Sequence, residues 1–178
     1  MSGAGQRLLQ DGLERAARER PGKVGLVADG RRWTYGELNR CAENVARELA
    51  ARGVRSGDRV VILLDNCAET VIAFHGVLKA GGTFVMLNAA LKAAKLRYIL
   101  GNCRARALVT HTSKAAVVDE ALADGAWSGW VAWDGPAEDV PGGAVRWADL
   151  ASDGAPFSGV RVADADLASL VYTSGTTG

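Results

Sequence analysis

The residues best suited to chemistry stand six in a row: Thr173, Ser174, Gly175, Thr176, Thr177 and Gly178. They follow the apolar run 167–172, so hydroxyls and glycines gather where a buried strand would empty into a loop. Glycine lets the backbone approach an anion closely, while amide N–H groups and hydroxyls donate to its oxygens. That combination is suited to holding phosphate. It is not a Walker loop, because G-x-x-x-x-G-K-[ST] is absent, and it is not a dinucleotide G-x-G-x-x-G. A neutral hydrogen bond contributes only about 0.5–1.5 kcal/mol net, so these groups alone would hold a triphosphate weakly.

The remaining candidates read as structure. His75 falls on the inward face of a helix and is expected to be a packing histidine. His111, between Thr110 and Thr112 at a strand end, reads as a solvated loop histidine within reach of a ligand. Two histidines without helical spacing or a nearby cysteine pair predict no metal site. Asp164 and Asp166 alternate before the last strand and are expected to face water. Ser174 is not in G-x-S-x-G, so no hydrolase elbow is indicated. Trp127, Trp130 and Trp133 form an aromatic cluster expected to pack on a sheet, since no basic stripe accompanies them. No side chain is assigned a catalytic role.

The elements that must position the loop can be read from periodicity. Residues 7–19 place Leu8, Leu9, Leu13, Ala16 and Ala17 on one helical face and stop before Pro21. Short β-like runs at 24–28 and 32–35 flank Asp29-Gly30, a tight hairpin signal. Thr34 and Glu37 read as a capping box, followed by the stripe Leu38, Cys41, Ala42, Val45, Ala46 and Leu49, with Gly53 as its stop. The continuous apolar run 59–64 predicts a strand covered on both faces. Asn66 is expected to cap a helix to about Lys79, with Val71, Ile72, His75 and Leu78 inward and Gly81-Gly82 ending it. Strands at 83–87, 107–110 and 131–133 alternate with helices at 93–100 and 113–123. Such alternation predicts an α/β fold, a mostly parallel sheet with crossover helices. Segment 134–163, with Pro136, Pro141, Gly142, Gly143, Gly154, Pro156 and Gly159, reads as a surface connection with one helical turn near 147–151.

Composition bounds the function. With 48% hydrophobic and 23% charged residues, the chain reads as a soluble globular domain spanning 1–178. A net charge of +1 leaves no nucleic-acid footprint. Three scattered cysteines, Cys41, Cys67 and Cys103, suit reduced thiols better than disulfides or zinc. No secretory h-region or bilayer-length apolar run is present, which together predicts a cytoplasmic protein.

The sequence Tyr172-Thr173-Ser174-Gly175-Thr176-Thr177-Gly178 resembles the phosphate-binding signature of the adenylate-forming (AMP-forming) ligases. These include acyl-CoA synthetases, luciferases and the adenylation domains of peptide synthetases. Trp33-Thr34-Tyr35-Gly36-Glu37-Leu38 is similar to an early T-Y-x-E-L segment of that family, and Gly57-Asp58-Arg59-Val60 to its G-D-x-V turn. Phe74-His75-Gly76-Val77-Leu78-Lys79-Ala80-Gly81-Gly82 resembles its G-x-x-K-A-G helix end, and Leu96-Arg97-Tyr98-Ile99-Leu100 the helix after it. Order and spacing agree from about residue 5 to 178. The chain departs from the pattern at Met86-Leu87-Asn88-Ala89, which lacks the flanking prolines; this bears on loop shape and on which acid is accepted.

The resemblance implies the N-terminal α/β portion of a ligase large domain, most like an acyl-CoA synthetase, truncated inside its phosphate loop. It implies activation of a carboxylic acid by ATP to acyl-AMP and transfer to CoA or a carrier thiol, with ATP, Mg²⁺ and coenzyme A as cofactors, as in fatty acid metabolism. Thr173, Ser174, Gly175, Thr176, Thr177 and Gly178 would be the nucleotide-binding residues. The family's acid pocket, ribose-binding aspartate and catalytic lysine come later in its pattern, so the isolated chain is expected to be inactive. Two rival expectations are a split ligase completed by a partner chain and a non-catalytic interaction module. A sheet ending at its last strand also predicts self-association.

Overall fold

The computed structural model describes residues 8–152, 154, 157 and 159–173. Helix α1 (Asp11–Glu19) leads into the antiparallel hairpin β1 (Val24–Ala28) and β2 (Arg31–Thr34). Asp29 and Gly30 take φ of 51° and 74°, the left-handed pair that a type I′ turn requires. Helix α2 (Tyr35–Ala51) opens on the expected capping box. Thr34 Oγ1 accepts the Glu37 N–H at 3.2 Å, and Glu37 Oε2 accepts the Thr34 N–H at 2.7 Å. The chain then alternates through β3 (Arg59–Leu63), α3 (Ala68–Lys79), β4 (Thr83–Met86), α4 (Ala93–Asn102), β5 (Ala107–His111) and α5 (Ala115–Leu122). It continues through β6 (Trp130–Asp134), β7 (Val145–Arg146) and α6 (Trp147–Leu150).

Strands β4-β3-β5-β6-β7 lie in that order in one parallel sheet. Central β3 buries Val60, Val61, Ile62 and Leu63 completely, as a strand covered on both faces must. Successive side chains go to opposite layers. Val60 and Ile62 pack with Leu38, Val45 and Leu49 of α2 and with Ile72 and Val77 of α3. Val61 and Leu63 pack with Leu96, Ile99 and Leu100 of α4 and with Val118 of α5.

The G-x-x-K-A-G stretch has a packing explanation. A Cβ on Gly76 would stand 2.5 Å from Val45 Cγ1 and 3.2 Å from Ala42 O, so glycine is what lets α3 approach α2. Lys79 is buried and its ammonium pairs with Glu14 of α1 and, at 3.8 Å, with Glu43 of α2, tying three helices together. Gly81, at φ 76°, turns the chain into β4.

Four expectations need correction. Helix α3 is capped at Cys67, not Asn66, and neither side chain bonds a helix N–H there; Thr70 Oγ1 instead donates to Asp65 O at 2.7 Å and sets the start of the helix. Segment 134–163 is not only a connection, because β7 pairs Val145 and Arg146 with Ala132 and Trp133. Two residues are too few to show a period, so tertiary pairing alone makes them a strand. The three tryptophans are not one cluster: Trp130 packs in the α2–α3 layer, while Trp127 and Trp133 pack in the α4–α5 layer, as alternation along β6 demands. The run 167–172 is not a buried strand. It makes one parallel bridge, Ser169 to Phe84, and leaves Leu167 and Val171 66% and 78% exposed.

Candidate functional site at the carboxyl edge of the sheet

The segment leading to the hydroxyl-rich loop is laid along the free edge of β4. Thr83 Oγ1 donates to Leu167 O at 2.8 Å, Phe84 N–H to Ala168 O at 3.1 Å, and Leu170 N–H to Phe84 O at 3.0 Å. Leu170 and Tyr172 pack against the α4–α5 layer, and Tyr172 Oη donates to Asn102 Oδ1 at 2.6 Å. Because the bridge is parallel, the chain travels toward the carboxyl ends of the strands, where ligands of open α/β sheets lie. Thr173 is exposed just past this segment. The other candidate residues, Ser174, Gly175, Thr176, Thr177 and Gly178, lie outside the described residues.

Further along the same edge, a cavity of about 320 Å³ opens over the ends of β3, β5 and β6. Leu64, Asp65, Cys67, Glu69, His111 and Asp134 line it. His111 sits at the strand end as expected. Its Nδ1 accepts the Ser113 N–H at 3.0 Å, which places the proton of the neutral ring on Nε2. Asp65 is paired with Lys114 Nζ at 3.2 Å. Burial, and then the charge of Glu69, push the Asp134 carboxyl above the usual carboxylate range. Burial also pushes the Cys67 thiol up, the opposite of what an activated nucleophile needs. In a flat sheet this cavity stands roughly 14 Å from the strand line of 167–172, three strand spacings away.

Asp65, Glu69 and Asp134 were not anticipated. The available signal was positional: Asp65 and Asp134 are the first acids after the apolar runs of β3 and β6. His75 lies elsewhere, half-buried on α3 with its ring 4.1 Å from that of Phe74, which fits a packing role. Burial, with the Lys79 charge second, pushes its pKa down to about 4. Asp164 and Asp166 are exposed, and Asp166 Oδ2 accepts the Ala163 N–H. Among the described residues no group of three or more His, Cys, Asp or Glu could hold a metal ion, and no helix is long and apolar enough to cross a membrane.

A strand bridge that carries the chain toward Thr173 at the carboxyl edge of this parallel sheet agrees with a family comparison. The model of the AMP-binding enzymes matches residues 13–178. The chain belongs to the AMP-binding enzyme family. It is 33% identical over 166 residues to tyrocidine synthase 1 of Brevibacillus parabrevis, covering 93% of this chain and 14% of that protein. It is 32% identical over 151 residues to the long-chain-fatty-acid–CoA ligase FadD13 of Mycobacterium tuberculosis, covering 83% of this chain and 28% of the ligase. Among solved structures, MbtA of Mycobacterium smegmatis superposes with a TM-score of 0.85 at 31% identity, covering 97% of this chain and 32% of that one. The anthranilate–CoA ligase AuaEII, solved with anthranoyl-AMP, superposes with a TM-score of 0.82 at 30% identity, covering 95% and 32%. The chain thus spans less than a third of each of these relatives, and its α/β fold is that of the N-terminal part of adenylate-forming ligases.

Proposed function

We propose that this chain is the N-terminal, phosphate-loop-bearing portion of an AMP-forming acid–thiol ligase. The reaction is activation of a carboxylic acid by ATP to acyl-AMP, followed by transfer to CoA or a carrier thiol in the cytoplasm. The observation that carries this reading is the parallel bridge between Ser169 and Phe84, which aims Thr173 at the carboxyl edge. There the hydroxyls of Thr173, Ser174, Thr176 and Thr177 and the amides of Gly175 and Gly178 donate to β- and γ-phosphate oxygens. Carboxylate and triphosphate are both anions, so their reaction needs charge neutralisation. Mg²⁺ supplies that chemistry when bound; no described side-chain group fits it, so no ligand for it is assigned to this chain. The acidic cavity over β3, β5 and β6 offers no cation to phosphate either.

The 178-residue chain alone is expected to turn nothing over and to bind ATP at best in the millimolar range, because the neutral hydrogen bonds of such a loop are a weak grip. Calorimetric titration checks this; micromolar ATP affinity would refute it. A second reading has a specific observation behind it. The exposure of Leu167 and Val171, on a segment whose described backbone bonds to the sheet go to β4, favours completion of the sheet by a second polypeptide. Mixing the chain with the C-terminal portion of a related ligase should restore acid-dependent ATP–pyrophosphate exchange. A complex without exchange leaves a non-catalytic interaction module, and no complex on gel filtration removes both alternatives.

A further inference from the structure

The residues just before the hydroxyl run show which part of the fold aims it. Leu170 makes the last backbone bond of the segment to β4, its N–H donating to Phe84 O at 3.0 Å. Val171 follows, 78% exposed, and no backbone hydrogen bond of Val171, Tyr172 or Thr173 is found among the described residues. Backbone pairing therefore stops before Thr173 is reached. A chain released from a sheet regains two soft dihedrals per residue, so its direction is lost unless a side chain restores it.

Tyr172 supplies that side chain. It packs beside Leu170 on the α4–α5 layer, and its hydroxyl donates to Asn102 Oδ1 at 2.6 Å. Asn102 is the last residue of α4, a helix fixed to the sheet by its buried Leu96, Ile99 and Leu100. The Asn102 side chain is exposed, and no other hydrogen bond of it is found among the described residues. Holding the phenol is thus what this amide does. Burial, and then the neighbouring Cys103, push the Tyr172 phenol above its usual value, so it keeps its proton as a donor across the neutral range. The lead-in to the loop is anchored twice: by backbone bonds to β4 as far as Leu170, and by one side-chain bond to α4 next to Thr173.

We propose that Asn102 is a positioning residue for phosphate binding: it holds the Tyr172 hydroxyl, and through it fixes the direction in which Thr173 leaves the sheet. This rests on the ligase reading given above. Ordering the first residue of a binding loop in advance lowers the entropy lost when the loop closes on its ligand, which is how preorganised sites gain affinity. One neutral hydrogen bond bounds the effect at roughly two- to tenfold in binding. If Tyr172 did no more than cover apolar surface, its ring would suffice and its hydroxyl would be dispensable.

MgATP titrated into the ¹⁵N-labelled 178-residue chain, with amide relaxation measured at Thr173, tests the proposal. Asn102→Leu and Tyr172→Phe should each raise the mobility of the Thr173 amide and weaken ATP binding, read from the shifts there, by roughly two- to tenfold. The double variant should be no worse than either single one, because both remove the same bond. Asn102→Asp keeps the acceptor and should restore the behaviour of the unaltered chain. The thermal transition and hydrogen exchange at the Leu170 amide should hold in every variant, since Asn102 is exposed and Tyr172→Phe keeps the packed ring. Several results overturn the positioning role and leave the ligase reading standing. These are additive losses in the double variant, no rescue by Asn102→Asp, faster exchange at Leu170, or a mobile Thr173 with unaltered ATP binding. No ATP-induced shift in the unaltered chain overturns the phosphate-loop reading, and this proposal with it.

Discussion

Strand β3 and segment 167–173 are both apolar runs laid parallel to β4, yet they are held very differently. Strand β3 is paired on both sides, to β4 and β5, and its four residues Val60 to Leu63 have no exposure. Segment 167–173 is bonded on one side only and leaves two large apolar side chains in water. The rigid half is thus the platform, and Thr173, the first of the residues proposed to bind phosphate, follows its most weakly held edge. Local stability in proteins commonly divides this way, with binding loops drawn from the less stable end.

The sharpest way to break this contrast is a matched pair of truncations. Leu63→Ala should lower the unfolding free energy by about 2–5 kcal/mol, since it empties a fully buried site. Leu167→Ala should change it by less than about 0.5 kcal/mol, because that side chain is already largely hydrated. Denaturant melts measure both; comparable losses would mean that the edge segment is as integral as the core.

A second difference is electrostatic and confined to the platform. His75 has a folded pKa of about 4, against an ordinary value of 6.5. The unfolded chain therefore binds a proton that the folded chain refuses, and stability falls as pH drops from about 6.5 toward 4. The loss is at most about 3 kcal/mol. His75→Phe should flatten this part of the stability–pH curve, while Leu167→Ala should leave it unchanged. A slope that persists in the histidine variant would assign the effect to other groups.

A capping effect of intermediate size belongs to the platform too. Thr34→Ala removes the acceptor for the Glu37 N–H and should cost about 1 kcal/mol. Modest in stability but most telling for the site is Thr83→Val, which deletes the hydroxyl bond to Leu167 O. It should cost about 0.5–1.5 kcal/mol or less, while hydrogen exchange at the Leu170 amide accelerates and exchange at Ile62 stays slow. Equal protection at the two amides before mutation would dissolve the comparison altogether.

Much of this was legible from residue order, and the parts that were not share a cause. The hairpin at Asp29-Gly30, the capping box of Thr34 and Glu37 and the doubly buried run of β3 each follow from rules acting within a few residues. The family resemblance was legible as a string of motifs, although Gly76 and Lys79 answer to contacts with α1 and α2 that only the fold displays. Strand β7, the gathering of Asp65, Glu69 and Asp134 in one cavity, and the separation of Trp130 from Trp127 and Trp133 were not legible. Each depends on which strands become neighbours and which layer a side chain enters.

The sequence by itself determined the alternation of elements and the family, because periodicity, capping and turn preference are short-range properties. Only the tertiary structure decided that 167–173 would lie along β4 with Leu167 and Val171 exposed, and that Asp65, Glu69 and Asp134 would share one cavity. Those outcomes arise from contacts between residues far apart in the chain, whose pairing is selected by burial and hydrogen-bond satisfaction of the whole sheet.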